Sequence, residues 1–282
     1  MNPLIPPQEL LLKAALLRKE SALAAWREWV ELTDLEHAYI DPGSYMLLPL
    51  IYSNLTYGVS AVENNSLALE RLRGIYRHTW VANETNFRSL GAALKLLADA
   101  GIPVLLPDGA ALAQRIFKHH ACRPVGSQTL WVRAGQALAT LRCLQQLGWQ
   151  AATRLPLPIA AMRNMARRLW PMHDGNGFIL FLSGRLWSAR ERVLWAATKT
   201  MLIGVGQGLV LNPTEQLLSI SMIASCARPG MALPFLADAA QLIRSSGPAM
   251  DWVRINSQPA ARALVRQVST ISEELKEMGK NQ

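Results

Sequence analysis

The side chains best suited to chemistry in this sequence are basic, and they are gathered in one stretch. Between Gly109 and His173 stand Arg115, Lys118, Arg123, Arg133, Arg142, Arg154, Arg163, Arg167 and Arg168, with no aspartate or glutamate among them. A fold that collects these groups presents a positive surface, suited to nucleic acid, to phosphate or to an acidic protein partner. The alternative is a solvated basic surface with no specific partner. The net charge of +9 for the whole chain has the same sign. Carboxylates flank the stretch at Asp108, Asp174 and Glu191, and such groups either hold a magnesium ion or cap turns and helices. His119 and His120 offer little as a metal pair, since neighbours on a helix point about 100 degrees apart. Cys122, Cys143 and Cys226 are odd in number and too widely spaced for a zinc knuckle or a redox pair. They read as buried small hydrophobes in a reducing cytoplasm rather than as reactive thiols.

The elements that must position these groups change type along the chain. With 282 residues, 50% of them hydrophobic, the chain can bury a substantial core in one large domain or two modest ones. The opening MNPLIPPQELLLKAALLRKE carries Glu9 and Glu20 and lacks the order of a secretory signal, so it is expected to stay in the mature protein. MLLPLIY and MLIGVG fall far short of the roughly 20 residues that span a bilayer, so no membrane span is expected. Helices are predicted over 7–32, from Pro42 to Gly58 with Pro49 inside, and over 67–100, either continuous or broken near Ala82. Then GIPVLLP, QTLWV and GFILFLSG read as strands interleaved with the helices GAALAQRIFKHH and AGQALATLRCLQQLG, and a further strand starts near Trp149. From Trp187 the pattern returns to helix, over 187–204, 213–225, 231–246 and 259–278. The fold class is therefore α+β, a small mixed sheet with covering helices between helical ends. Its division is 1–100 helical, 101–187 α/β core and 188–282 helical.

Four phrases, AGIPVLLPDGAALAQRIF, RPVGSQTLWVR, LQQLGW and FLSGRLW, occur in this order, followed by LNPTEQLLSISMIA and FLADAAQLIRSSGPAMDW. The series resembles the uncharacterised bacterial nucleotidyltransferase family of the polymerase-beta-like superfamily, from about Leu10 to Arg266. Active members of such a fold carry two aspartates spaced i, i+2 on a strand and a third carboxylate on its neighbour, which hold two magnesium ions on a nucleoside triphosphate. The resemblance implies that these three positions are Ser127, Thr129 and Phe181. It also sets a family lysine on Asp108 and a family histidine on Ser183. Gly109 and Gly126 are retained as turn residues. Arg123, Arg133 and Arg185, with Gly109 and Gly126, are left as candidates to bind an anion or a partner, with pairing to acidic helix residues as the other reading of Arg123 and Arg133. Trp131, opposite Leu130 on the strand, reads as core or interface filler rather than a base-stacking platform.

The expectation is a pseudoenzyme, a catalytically degenerate nucleotidyltransferase-like protein of the cytoplasm that acts by binding. It needs no cofactor and no metal. Its partner is expected to be a protein, in a hetero-complex or a homo-oligomer, and the resemblance implies a scaffold or accessory role in a bacterial pathway that modifies peptides. Two alternatives stay open. One is an active nucleotidyltransferase with a rearranged site using Asp108 or Asp174, with magnesium and a nucleoside triphosphate. The other is nucleic-acid binding through the basic middle segment.

Overall fold

In the computed structural model, residues 4–33, 39–58, 67–107, 109–151, 170–183, 191–228 and 230–271 are described. They group by contact into two compact units: 1–81 with 116–124 and 217–282, and 82–115 with 125–216.

The first unit draws on both ends of the chain. Helices α1 (Pro6–Leu16), α2 (Lys19–Leu32) and α3 (Pro42–Gly58) belong to it, as do α9 (Leu233–Ser246), α10 (Trp252–Ser257) and α11 (Pro259–Ile271). The single helix predicted over 7–32 is two helices, broken at Leu17 and Arg18, whose backbones are extended, and Lys19, whose φ is 52°. No glycine or proline marks the break. Distant side chains make it possible by satisfying the carbonyls that the helix end exposes. Asn54 Nδ2 donates to Ala14 O at 2.8 Å and Leu17 O at 2.6 Å, and Arg244 Nη2 donates to Leu16 O at 2.6 Å. Asp41 caps α3, accepting from Gly43 N and Ser44 N, both at 3.1 Å. The three cysteines were expected to be buried, and only Cys122 is; Cys143 is half-buried and Cys226 exposed. Burial raises the Cys122 thiol above its ordinary value, against a lowering by Ser53, the His119 backbone and Lys118, so the thiol is held in its unreactive form.

The second unit carries a seven-stranded mixed sheet in the order β3-β4-β5-β2-β1-β7-β6. The strands are β1 (Leu105–Leu106), β2 (Gln128–Trp131), β3 (Gln150–Ala151), β4 (Trp170–His173), β5 (Ile179–Ser183), β6 (Thr198–Ile203) and β7 (Gly206–Leu211). β2 runs parallel to β5 and β1 parallel to β7; the other neighbours are antiparallel. The α+β class is therefore the observed one. α4 (Leu67–Asp99) is one continuous helix whose residues from 82 belong to this unit, where Phe87, Leu90, Leu94 and Leu97 join the core on one face of the sheet. Leu130, Leu180 and Leu182 of the strands and Leu141 and Leu144 of α6 (Ala137–Gln146) complete that core.

Two predicted helices are corrected here. The helix expected over 187–204 gives way to the short α7 (Glu191–Ala196) and then the β6–β7 hairpin. Thr198, Thr200 and Ile203 favour extended backbone, and Gly204 takes φ 57° at the two-residue turn. Gly91 of α4 lies against the hairpin tip, where a Cβ would stand 2.7 Å from Ile203 O and 3.0 Å from Val205 N. Likewise the helix predicted over 109–120 stops as α5 (Ala110–Arg115), followed by a 3-10 turn at His120–Cys122. At Arg115 the chain passes from one unit to the other. The remaining helix, α8 (Pro213–Cys226), starts where Asn212 Oδ1 accepts from Glu215 N at 2.9 Å.

Inside the first unit, Arg123 and Asp238 form a buried, two-pronged ion pair. Nε and Nη2 each donate to one carboxylate oxygen at 2.7 Å, and the side chains are 9% and 1% exposed. Removing one partner strands the other charge in a low dielectric, whereas removing both does not. Arg123→Met and Asp238→Leu alone are each expected to cost about 3–5 kcal/mol, and the double variant to recover most of that. Thermal and urea unfolding of the four proteins measures it; additive losses would contradict the coupling.

Candidate functional site

The site implied by the sequence lies in the second unit, and its geometry begins at the entry to β2. Val125 N donates to Asn83 Oδ1 at 2.8 Å and Asn86 Nδ2 donates to Val125 O at 2.6 Å, so one turn of α4 grips the chain there. Gln128, only 2% exposed, fixes the next loop: its Oε1 accepts from Ala110 N at 2.6 Å, and its Nε2 donates to Gly126 O and Ser127 O at 3.1 and 3.0 Å. Gly109 has φ 37°, and a Cβ there would run into the Gln128 amide, so both the backbone angle and the close approach call for glycine. Gln216 Nε2 donates to Pro107 O at 2.6 Å from the other side of the same loop.

Register then decides which side chains meet. Thr129 pairs with Phe181 and Trp131 with Ser183 across the parallel β2–β5 ladder. Because strand side chains alternate, Thr129, Trp131, Phe181 and Ser183 share one face, and Leu130, Leu180 and Leu182 point to the α4 core on the other. Thr129 and Phe181, two of the three implied metal-ligand positions, are thus side by side, and Ser127, the third, is exposed in the bend just before β2.

Next along this face lies an apolar cluster. Leu105, Trp131 and Leu211 are buried together, with Leu194, Trp195 and Leu209 packed against them. The Arg133 guanidinium sits over the Trp195 ring, 5.5 Å from its centroid. Arg115 reaches the same cluster, donating from Nη1 to Leu211 O at 2.8 Å. Two polar atoms remain unmatched: Trp131 Nε1 and Trp195 Nε1 are buried without an acceptor among the described residues, at a cost of about 1–3 kcal/mol each. Trp170 Nε1, on the α4 side, is in the same condition.

The other candidates are dispersed. Arg123, in the first unit, is engaged by Asp238, the acidic helix partner that was one of its two readings. Gly126 has no left-handed φ, and a Cβ there would meet nothing within 4 Å, so it is not required as glycine. Asp108 and Arg185, like Arg154, Arg163, Arg167 and Arg168, lie outside the described residues. Trp195 and Gln128 were not anticipated. Trp195 does lie in a helix, but its packing on the Trp131 cluster joins it to a distant strand, and a buried glutamine beside a glycine turn leaves no pattern in sequence. Among the described residues no group of three or more His, Cys, Asp or Glu side chains could hold a metal ion. No described helix is long and apolar enough to cross a membrane.

Asp174 is turned toward α4. Its Oδ2 accepts from Ser89 Oγ at 2.7 Å, and its Oδ1 accepts from Asn176 N at 2.8 Å and Phe178 N at 3.1 Å, closing the β4–β5 turn. Burial raises its pKa, but the hydrogen bonds from Ser89, Asn176 and Phe178 outweigh burial and hold the carboxyl below the usual aspartate range. With the folded value below the unfolded one, the stabilisation is present above the ordinary aspartate value of about 3.9 and is lost as pH falls through the folded value. Asp174→Ala is expected to cost about 1–3 kcal/mol at neutral pH and to converge with the parent chain in acid. Urea unfolding across that range reads this out, and a gap that widened in acid would contradict it.

Compared with known proteins, the chain matches the family model described as "Uncharacterised nucleotidyltransferase" over residues 46–275. No curated protein matches it. The match takes in α3 through α11, and with it both the sheet that pairs Thr129 with Phe181 and the α9 helix that pairs with Arg123. On that extent of agreement the chain belongs to the uncharacterised nucleotidyltransferase family.

Proposed function

We propose that this protein is a catalytically degenerate nucleotidyltransferase that acts by binding another protein, as a scaffold or accessory subunit in a biosynthetic pathway. The observation that carries this is the composition of one sheet face. With the correspondence taken from the resemblance, the three metal-ligand positions offer the hydroxyls of Ser127 and Thr129 and the phenyl ring of Phe181, with Thr129 and Phe181 adjacent in the ladder. Two magnesium ions about 4 Å apart repel strongly and require anionic oxygens between them. Neutral hydroxyls and an aromatic ring do not fit that pair, which leaves the face without the charge that two-metal phosphoryl transfer requires. Beyond Thr129 the same face continues into Trp131, Leu105 and Leu211, an apolar surface on which a triphosphate has no counter-charge except at its arginine edge.

Asp174, the described member of the two alternative acids, is committed to Ser89 and to its own turn, on the side of α4. That commitment weighs against a rearranged metal site there. Arg123, one of the basic middle residues, is occupied by Asp238, which lessens the charge left for nucleic acid.

Calorimetry with each nucleoside triphosphate, with and without magnesium, tests the reading. No metal-dependent heat is expected, and incubation with labelled triphosphates should transfer no label to protein or nucleic acid. Tight, magnesium-dependent binding would overturn it. Binding to single- or double-stranded nucleic acid that weakens steeply with salt would favour the basic-surface alternative instead.

A further inference from the structure

We infer that β6 is a docking edge at which a second copy of this chain adds its own β6, joining the two sheets antiparallel about a two-fold axis. The surface lies at the end of the sheet, separated from β2 by β1 and β7, and the inference stands whether or not the Thr129–Phe181 face takes a nucleotide. Its basis is the direction of the backbone groups along that strand. β6 pairs with β7 and with no other strand among the described residues. In an antiparallel ladder, residues that exchange both bonds with the neighbour alternate with residues whose N–H and C=O point away from it. Asn212 N donates to Ala197 O at 3.0 Å just before the ladder, and the register runs without a bulge from Thr198 opposite Leu211 to Ile203 opposite Gly206. Lys199, Met201 and Ile203 are therefore the residues bonded to β7, and Thr198, Thr200 and Leu202 turn their backbone groups outward. The edge is open to solvent: Lys199 and Thr200 are exposed, as are Leu202 at 62% and Val205, at the hairpin turn, at 70%. Of the devices that commonly blunt an edge strand, TKTMLI carries only one, the charge of Lys199.

Self-pairing is what this edge fits. A two-fold axis at Thr200 sets that residue opposite Thr200 of the second copy and Thr198 opposite its Leu202, so every outward N–H and C=O on both strands gains a partner. Moving the axis to Lys199 or Met201 leaves outward groups unmatched, and at Lys199 it also sets two ammonium groups face to face. With the axis at Thr200, each Lys199 stands opposite Met201 of the other copy, where its methylene stem covers an apolar side chain. A strand from an unrelated protein would bond the same backbone groups. The second copy brings in addition a strand of equal length, side chains already matched, and the symmetry that uses both edges in one closed contact.

Sedimentation velocity of the full chain over about 1 to 100 micromolar is expected to show a monomer–dimer equilibrium. Thr200→Pro takes away an outward N–H and sets a ring on the edge without breaking a bond to β7, and should weaken association about tenfold or more. Thr200→Lys puts like charges opposite one another across the axis and should weaken it similarly in a chain with the parent's circular dichroism, which decides the matter if the proline variant fails to fold. Cysteine reads the register. In a Cys226→Ser background, Thr200→Cys is expected to cross-link two copies under mild oxidation, because directly opposed, hydrogen-bonded residues stand about 5.5 Å apart at Cα, within disulfide reach. Val253→Cys, at an exposed position in the other unit, is the comparison and should not cross-link. A monomer at every concentration, a dimer indifferent to both Thr200 variants, or cross-linking no faster at 200 than at 253 would overturn the inference. No nucleotide enters these measurements, so their failure leaves the proposed function untouched, and magnesium-dependent triphosphate binding would leave the dimer untouched.

Discussion

The parallel register of β2 on β5 is the constraint from which the character of this protein follows. Pairing Thr129 with Phe181 and Trp131 with Ser183 fixes, through simple alternation, which side chains meet on each face. A slip of β2 by one residue would carry Leu130 out of the α4 core, away from Leu180 and Leu182, and put Trp131 into it. Those leucines are fully buried, so the hydrophobic core pins the register. The register in turn determines what the opposite face can do. Packing on one side thereby dictates chemistry on the other.

α4 enforces this arrangement over three successive turns with small or polar residues rather than with apolar ones. Asn83 and Asn86 hold the backbone entering β2, Ser89 holds the Asp174 turn between β4 and β5, and Gly91 admits the tip of the β6–β7 hairpin. Meanwhile Phe87, Leu90, Leu94 and Leu97 supply the burial. The division of labour is physical: apolar side chains provide most of the driving force but little direction, and the directional bonds set which loop goes where.

Much of this was legible because it depended on local pattern. The 3.6-residue spacing of Phe87, Leu90, Leu94 and Leu97 and the alternation in QTLWV each identify an element without reference to the rest of the chain. The opposite orientation of Trp131 and Leu130 followed from the same alternation, and the two residues do lie in different clusters. What escaped depends on distant partners. The break after α1 is stabilised by Asn54 and Arg244, which no local rule connects to Leu16. A short apolar run such as TKTMLIGVG fits helix and strand alike, and only the approach of Gly91 and the pairing with β7 decide it. At the candidate site the type of residue at 127, 129 and 181 could be read directly, whereas the role of Trp195 could not, because its packing on the Trp131 cluster joins α7 to a distant strand. Gly109 could be recognised as a turn residue, but its dependence on the Gln128 amide could not.

The two indoles pose a sharper question than the hydroxyls beside them. Filling the face where a polar site would otherwise open takes large rings, and an indole buries more apolar surface than a phenyl ring while adding one N–H donor. Burial of the larger ring stabilises, and the unmatched N–H groups at 131 and 195 offset part of that gain. The Arg133 guanidinium over the Trp195 ring stays at the exposed edge of the cluster, where its charge remains solvated. A face closed in this way, with leucines and indoles packed together and its cation at the rim, has a polarity opposite to that of a metal-binding floor.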